Sequence, residues 1–129
     1  MIKQAIIPLA GLGTRLLPLT SVFAKELLPI NGKPGLEYII NECIEAGIKE
    51  IIFIISKRKM MIKKYFYNDK FYKDLIKKNK NPRIIEEYKK ILKYRKMIKF
   101  VYQNKPKGTG DAVLKTRKYI KSKYFLMLL

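Results

Sequence analysis

Residues 4–13 have the sequence QAIIPLAGLG, a short apolar run followed by two glycines one residue apart. The apolar run, residues 4–9, predicts a buried strand that the glycines end. Residues 35–46 carry apolar side chains at helical spacing, and Gly47 follows them where a helix C-terminal cap belongs. Residues 50–55 (EIIFII) predict a second strand, hydrophobic on both faces as parallel strands are. This order of strand, helix and strand begins an α/β fold.

The alternation of strands and helices continues along the chain. Residues 57–97 predict two or three basic helices with a break near residues 79–82. Residues 98–102 predict a third strand, residues 111–121 a helix and residues 124–129 a fourth strand. We therefore predict a mostly parallel sheet with right-handed crossovers and helices on both faces.

Two glycine-containing loops, residues 10–15 and 103–110, each follow a predicted strand. Ligands of such sheets bind beyond the carboxyl ends of the strands, so we expect both loops at that edge. Residues 14–34, between the first strand and the first helix, are predicted to form an irregular loop punctuated by prolines.

Composition excludes several kinds of chemistry. The chain has 129 residues, a length that suits one domain. It has no His and one cysteine, Cys43, which excludes His-based acid–base chemistry, a disulfide framework and a cysteine zinc site. Any metal would need oxygen ligands, a set that favours Mg²⁺. No signal peptide or membrane-spanning stretch is visible, and we expect a cytoplasmic protein that does not use a membrane.

The positive charge of the chain lies mostly in one stretch. The net charge is +19, yet residues 1–56 are net neutral and residues 57–107 hold 19 basic against four acidic side chains. Aromatic residues interleave with these charges from Tyr65 to Tyr72, a pattern compatible with a nucleic-acid-binding module. Lys-rich helical surfaces are also ordinary solvated surfaces. We favour the second interpretation and expect no nucleic-acid partner.

The first glycine loop is followed by two cations. Backbone N–H groups of such a loop can approach phosphate oxygens closely. The loop is not a dinucleotide fingerprint, because Leu16 occupies the third glycine position, and no Gly-Lys-Ser/Thr of a P-loop follows it. Arg15 can form a bidentate pair with phosphate oxygens, and Lys25 can add a second positive charge. This combination favours a phosphate site.

A longer motif around these residues resembles a known family. Residues 10–20 (AGLGTRLLPLT), 25–30 (KELLPI) and 33–34 (KP) resemble the signature of the sugar-1-phosphate nucleotidyltransferases, which has G-x-G-T-R, then P-K-E-[ML]-L-P and K-P. Within that family, residues 41–48 (NECIEAGI) are most similar to the bacterial UTP–glucose-1-phosphate uridylyltransferases, and residues 57–97 resemble their basic helical insertion. The resemblance implies a Rossmann-like nucleotidyltransferase fold.

The resemblance also implies roles for individual residues. The residues that would bind the nucleotide are Ala10, Gly11, Gly13, Thr14, Arg15, Gln103 and Gly108. Gln103 would read the uracil and Gly108 would present backbone groups to it. Arg15 and Lys25 would be catalytic, holding the triphosphate and the reacting phosphate. The implied reaction is attack by a phosphate oxygen of glucose 1-phosphate on the α-phosphorus of UTP, which gives UDP-glucose and pyrophosphate.

Three positions depart from the family pattern. Ala24 replaces the proline before Lys-Glu, which predicts a looser loop around Lys25. Gly35 replaces a larger apolar residue after Lys-Pro, and Asp111 stands where the uridylyltransferases usually have His.

The end of the chain departs further. In the family, a strand like residues 125–129 leads into a Pro-Asp-Asp-like turn whose aspartate binds Mg²⁺, and this sequence stops before such a turn. We therefore expect one incomplete domain over residues 1–129, truncated after its fourth strand, with no metal ligand and with impaired or no catalysis. Full-length family members oligomerise, but the resemblance implies no oligomeric state for this chain.

Two alternatives remain open. One is an enzyme like the glucose-1-phosphate thymidylyltransferases, which would use dTTP; the helical stretch 57–97 argues against it. The other is a non-catalytic nucleic-acid-binding module built on the basic residues 57–107.

Overall fold

The computed structural model describes residues 1–105 and 107–128. Its strands are β1 (Gln4–Pro8), β2 (Pro29–Ile30), β3 (Lys33–Pro34), β4 (Glu50–Ile55), β5 (Ile98–Tyr102) and β6 (Leu126–Met127). Its helices are α1 (Gly35–Glu45), α2 (Met60–Tyr67), α3 (Asp69–Lys78), α4 (Pro82–Met97) and α5 (Thr109–Leu114). None of the helices in these described ranges is long and apolar enough to cross a bilayer.

The main sheet is parallel and has the strand order β5-β4-β1-β6. From β1 the chain adds β4 and then β5 on one side, and β6 then pairs on the other side of β1. The strand order therefore reverses beside β1, the place where sheets of this kind bind ligands. The predicted α/β fold with a mostly parallel sheet is confirmed.

Alternate residues of the strands enter two separate cores. Ala5 and Ile7 of β1 contribute to a core that α1, α2 and α4 cover. Ile6, between them, enters a second core with Ala112 of α5 on the opposite face. Because successive strand residues point to opposite faces, this division confirms the prediction of helices on both sides of the sheet.

Helix α1 ends as its sequence predicts. The backbone N–H of Ile48 donates to the carbonyl of Cys43 at 2.9 Å, and that of Gly47 donates to the carbonyl of Ile44 at 3.1 Å. These paired bonds form a Schellman cap, which satisfies carbonyls that the helix end would otherwise leave free.

The region from residue 14 to residue 34 is more ordered than the predicted irregular loop. Short 3₁₀ turns lie at Thr14–Leu16, Leu19–Ser21 and Lys25–Leu27, and strands β2 and β3 form an antiparallel hairpin. The hairpin turn consists of Asn31 and Gly32, with φ of 51° and 77°. Asn-Gly is the strongest short-range hairpin signal, so the sequence did contain the information.

The basic residues 57–97 form α2, α3 and α4, with the predicted break between Lys78 and Pro82. Asn81 caps α4, accepting a hydrogen bond from the backbone N–H of Arg83 at 2.9 Å. Lys90 of α4 lies 3.1 Å from the carboxylate of Glu37, whose side chain is 2% exposed on α1. The helices are thus tied to the sheet domain by a half-buried ion pair, while their identity as an insertion stays a prediction.

Two predicted elements near the end of the chain are wrong in extent. The predicted helix 111–121 is α5 (Thr109–Leu114) followed by a 3₁₀ turn at Arg117–Tyr119. The α-helix ends because buried Thr116 turns its hydroxyl back to the carbonyl of Val113 at 2.6 Å, a local bond that competes with helix continuation. The predicted strand 124–129 is β6 (Leu126–Met127), and Leu129 lies outside the described residues.

Candidate nucleotide-binding site

The loop after β1 lies between two cavities at the carboxyl edge of the sheet. One, the strand-end cavity, has a volume of about 280 Å³. Its lining residues are Ala10, Leu12, Ser56, Lys57, Arg58, Gln103 and Asn104. The other, the switch cavity, has a volume of about 340 Å³ and lies where β1 meets β6. Its lining residues are Ile7, Pro8, Leu9, Gly11, Lys25, Glu26, Ile39, Glu42 and Leu128.

Gly13 allows the glycine loop to approach Lys25. Its φ is +66°, and an added Cβ would lie 3.0 Å from Thr20 Cγ2 and 3.3 Å from Lys25 Cδ. The hydroxyl of Thr20 donates to the carbonyl of Gly13 at 2.7 Å, which fixes the turn from the other side. A side chain at position 13 would therefore strain the backbone and displace its neighbours.

Lys25 lines the switch cavity, and the residues beside it hold the turn that carries it. The neighbouring Glu26 forms an ion pair with Lys59 at 2.6 Å, and these side chains are only 7% and 6% exposed. On the other side, the backbone N–H of buried Ala24 donates to Met61 Sδ at 3.1 Å. A proline would have no N–H for this bond. These contacts hold the turn, although the replacement of the family's proline by Ala24 predicted a looser loop.

Gln103 follows β5 and is 6% exposed at the strand-end cavity. Its backbone N–H donates to the carbonyl of Ile55 at 2.8 Å, which extends the pairing of β5 with β4. Its side-chain Nε2 donates to Asp111 Oδ2 at 2.9 Å and to the carbonyl of Gly108 at 3.3 Å. The amide is therefore buried and fixed by hydrogen bonds.

The structure brings some of the predicted site residues together and separates others. Ala10 and Gln103 line the strand-end cavity, whereas Gly11 and Lys25 line the switch cavity. Thr14 lines a third cavity of about 460 Å³, and Arg15 is exposed outside all three. Both glycine loops lie at the same edge of the sheet, as predicted.

The sequence matches the nucleotidyl transferase family over residues 4–129. The chain belongs to this family. It is 42% identical over 129 residues to a UTP–glucose-1-phosphate uridylyltransferase of Bacillus subtilis, covering 99% of this chain and 44% of that protein. A uridylyltransferase of the same name from Streptococcus pyogenes is 37% identical, with 99% of this chain and 41% of that protein covered.

Solved structures give the same result. A UTP-bound UGPase from Acinetobacter baumannii superposes with a TM-score of 0.87 at 35% identity, covering all of this chain and 45% of that one. An apo UDP-glucose pyrophosphorylase superposes with a TM-score of 0.76 at 32% identity. The chain thus spans less than half the length of the relatives it matches, and the resemblance inferred from its motifs is confirmed.

Several residues that line the strand-end cavity were not among those predicted. Ser56, Lys57 and Arg58 follow β4, and Asn104 follows Gln103. Parallel strands end at the same edge of a sheet. The rule that placed the glycine loops at the site therefore applies equally to the residues after β4. Lys57 and Arg58 belong to the stretch predicted as a basic surface, and Ser56 directly precedes it.

The hydroxyl of Ser56 is a distinctive group in this candidate site. Its Oγ is buried and has no hydrogen-bond partner among residues 1–105 and 107–128. A buried polar atom without a partner is unfavourable, and ligand sites are among the places where such atoms occur.

The described part of the chain, residues 1–105 and 107–128, does not group three or more acidic, His or Cys side chains that could ligate a metal ion. In the switch cavity Glu26 is already paired with Lys59. The buried thiol of Cys43 offers no nucleophile, because desolvation raises its pKa above the ordinary value.

Proposed function

We propose that this chain binds UTP, as the nucleotide-binding part of a UTP–glucose-1-phosphate uridylyltransferase. The observation that carries the proposal is the meeting of a buried, fixed amide, Gln103, with the glycine loop in one cavity at the strand ends. The UTP-bound UGPase from Acinetobacter baumannii aligns with all of this chain, which supports the same ligand class.

The uracil is proposed to occupy the strand-end cavity. Nε2 of Gln103 is bonded to Asp111 and Gly108, so Oε1 is the atom left to accept a hydrogen bond from N3–H of the base. The backbone around Ala10 lies across the same cavity and offers groups to the base edge. Together they would recognise a flat ring with a donor at N3.

The phosphates are proposed to follow the glycine loop into the switch cavity. Gly11 and Gly13 let the backbone approach the phosphate oxygens, and Lys25 is held at that side of the loop. Arg15, exposed in the 3₁₀ turn that follows, would contact the outer phosphates of the triphosphate.

The reaction proposed for the whole protein is transfer of UMP from UTP to glucose 1-phosphate. A phosphate oxygen of the sugar phosphate attacks the α-phosphorus, and the bond to the departing pyrophosphate breaks. Phosphoryl chemistry of this kind depends on positioning and on neutralising charge. Lys25 would hold charge at the reacting phosphate, and Arg15 would hold it on the leaving pyrophosphate.

Other parts of the proposal rest on the relatives. Family members usually use a divalent metal, and we expect Mg²⁺ for the whole enzyme. The described residues do not fit such an ion. Glucose 1-phosphate as acceptor, the cytoplasm as location and impaired or no catalysis by these 129 residues alone are further predictions.

Calorimetric titration of the chain with UTP tests the proposal. We expect binding, and we expect Gln103→Ala to weaken it by about tenfold or more because the fixed amide of the proposed base site is lost. Asn79→Ala, which removes an exposed amide between α3 and α4, is the matched control and should leave binding unchanged. Absence of UTP binding by the unmodified chain would contradict the proposal.

Two additions to the titration separate the alternatives. Competition between UTP and dTTP tests the thymidylyltransferase-like alternative, which requires tighter binding of dTTP. Salt-dependent RNA binding that persists in Arg15→Ala and Gln103→Ala would favour a nucleic-acid-binding module. A coupled assay for UDP-glucose formation measures whether these 129 residues catalyse the reaction alone.

A further inference from the structure

Asp111 makes a hydrogen bond that is unusual for its position in α5. It is the third residue of the helix (Thr109–Leu114). An acidic side chain at this position commonly reaches back to a backbone N–H at the start of its own helix. Here the carboxylate instead accepts the hydrogen bond from Gln103 Nε2 at 2.9 Å. The side chain therefore acts on the residue after β5 and not on its own helix.

Two acceptors determine which way the Gln103 amide faces. A carboxylate and a backbone carbonyl can only accept hydrogen bonds, so the amide nitrogen must face Asp111 and Gly108. The carbonyl oxygen Oε1 then faces away from them. No residue of the described part of the chain donates to Oε1. A reversed amide would place Oε1 against these two acceptor atoms. Gln103 itself is 6% exposed and lines the strand-end cavity.

We propose that Asp111 is a positioning residue that sets base specificity by fixing Gln103 with its oxygen toward the strand-end cavity. The inference rests on the proposed binding of UTP. Uracil has a donor at N3 and pairs with Oε1, whereas cytosine has an acceptor at N3 and meets it with like polarity. Asp111 thus selects against cytosine without touching the base, by excluding the amide orientation that would suit it.

Affinities for UTP and CTP measure this effect, because the two nucleotides share their sugar, phosphates and ring size. We expect the unmodified chain to prefer UTP by at least about tenfold. Asp111→Asn provides both a donor and an acceptor to Gln103 and so permits both amide orientations. We expect it to lower the UTP-to-CTP affinity ratio by about threefold or more.

Asp74→Asn is the matched control. It makes the same change of charge at an exposed position of α3, away from both cavities, and should leave the ratio unchanged. Any general effect of charge on triphosphate binding cancels in the ratio. Thermal unfolding of both variants, followed by circular dichroism, checks that the fold persists.

The outcomes are distinguishable. A lowered ratio in Asp111→Asn alone supports the inference. Equal weakening of UTP and CTP, an unchanged ratio, or an unmodified chain that binds UTP without preferring it to CTP would overturn the inference and leave UTP binding in place. A chain that binds neither nucleotide would overturn both this inference and the proposed function.

Discussion

The signature loop (residues 10–34) and the basic helices (residues 57–97) stand in opposite relation to the candidate site. The loop lies in the net-neutral part of the chain, yet it supplies Ala10, Leu12, Gly11, Lys25 and Glu26 to the strand-end and switch cavities. The helices lie in the stretch that carries most of the net charge. Apart from the residues directly after β4, however, they influence the site through the packing of α2. The position of a cation at a strand end therefore matters more than the sum of charges.

The contact between the two regions explains how few charges suffice. Lys59 is the one basic residue of that stretch that is buried against the loop, through its ion pair with Glu26, as far as the described residues show. Met61, two residues further along the chain, accepts the N–H of Ala24. The helices thus support the loop by packing against it, and most of their remaining lysines are exposed, whereas Lys90 pairs with Glu37.

Breaking the buried ion pair should have the largest effect. Lys59→Met leaves the Glu26 carboxylate buried without its partner, and we expect the free energy of unfolding to fall by about 3–5 kcal/mol. Urea denaturation followed by circular dichroism measures this value. UTP affinity should fall as well, because Glu26 is adjacent to Lys25.

A double variant separates the loss of the pair from the loss of packing. Lys59→Met combined with Glu26→Leu removes both charges, and we expect it to be more stable than Lys59→Met alone. If Lys59→Met unfolds at the same urea concentration as the unmodified chain, the ion pair does not support the loop and the comparison fails.

Removing a cation from the switch cavity should have the next largest effect. Lys25→Ala is expected to weaken UTP binding by about tenfold to a hundredfold, since a charge-assisted contact to phosphate is lost. Lys77→Ala, at an exposed position near the end of α3, removes the same charge from the basic helices and should change affinity by less than about twofold. Isothermal titration with UTP compares the two. Similar losses in both variants would mean that total charge, and not placement, governs binding.

The sequence predicted the elements that local patterns determine. The strand 98–102 and the Gly47 helix cap were recovered because each has a clear periodic or capping signal. The helix 111–121 was placed too late and made too long, because the bond between Thr116 and Val113 that ends the α-helix depends on burial. Gln4 also holds the following turn, accepting from the backbone of Lys121 at 2.9 Å, a contact across the whole chain.

The candidate site was predicted in part for the same reason. Motif resemblance identified Gln103 and Lys25, but no local pattern shows that Asp111 bonds to Gln103 or that Lys59 pairs with Glu26. These contacts arise from tertiary packing of segments that are eight and 33 residues apart. The residues after β4 could have been included, because the rule that placed the glycine loops at the sheet edge applies to them equally.

The two smallest expected effects concern two buried hydroxyls, that of Thr116 in the structural part of the fold and that of Ser56 at the strand-end cavity. Thr116 is fully buried in the structural part of the fold and donates to Val113 at 2.6 Å. Thr116→Val removes this hydroxyl bond, while the backbone N–H of the same residue still donates to that carbonyl at 3.0 Å, and we expect the free energy of unfolding to fall by about 1 kcal/mol. UTP affinity should not change, because neither residue lines a cavity of the site.

Ser56→Ala should behave in the opposite way. The Oγ of Ser56 is buried at the strand-end cavity without a partner in the described part of the chain, so its removal costs no internal hydrogen bond. We expect the free energy of unfolding to stay the same or rise by up to about 1 kcal/mol, and UTP affinity to fall by about threefold because a polar group at the proposed base site is lost. Chemical denaturation and UTP titration of both variants give the two values. A destabilised Ser56→Ala with normal UTP affinity would show that the hydroxyl serves the fold, and that this end of β4 belongs with the structural part of the molecule and not with the site.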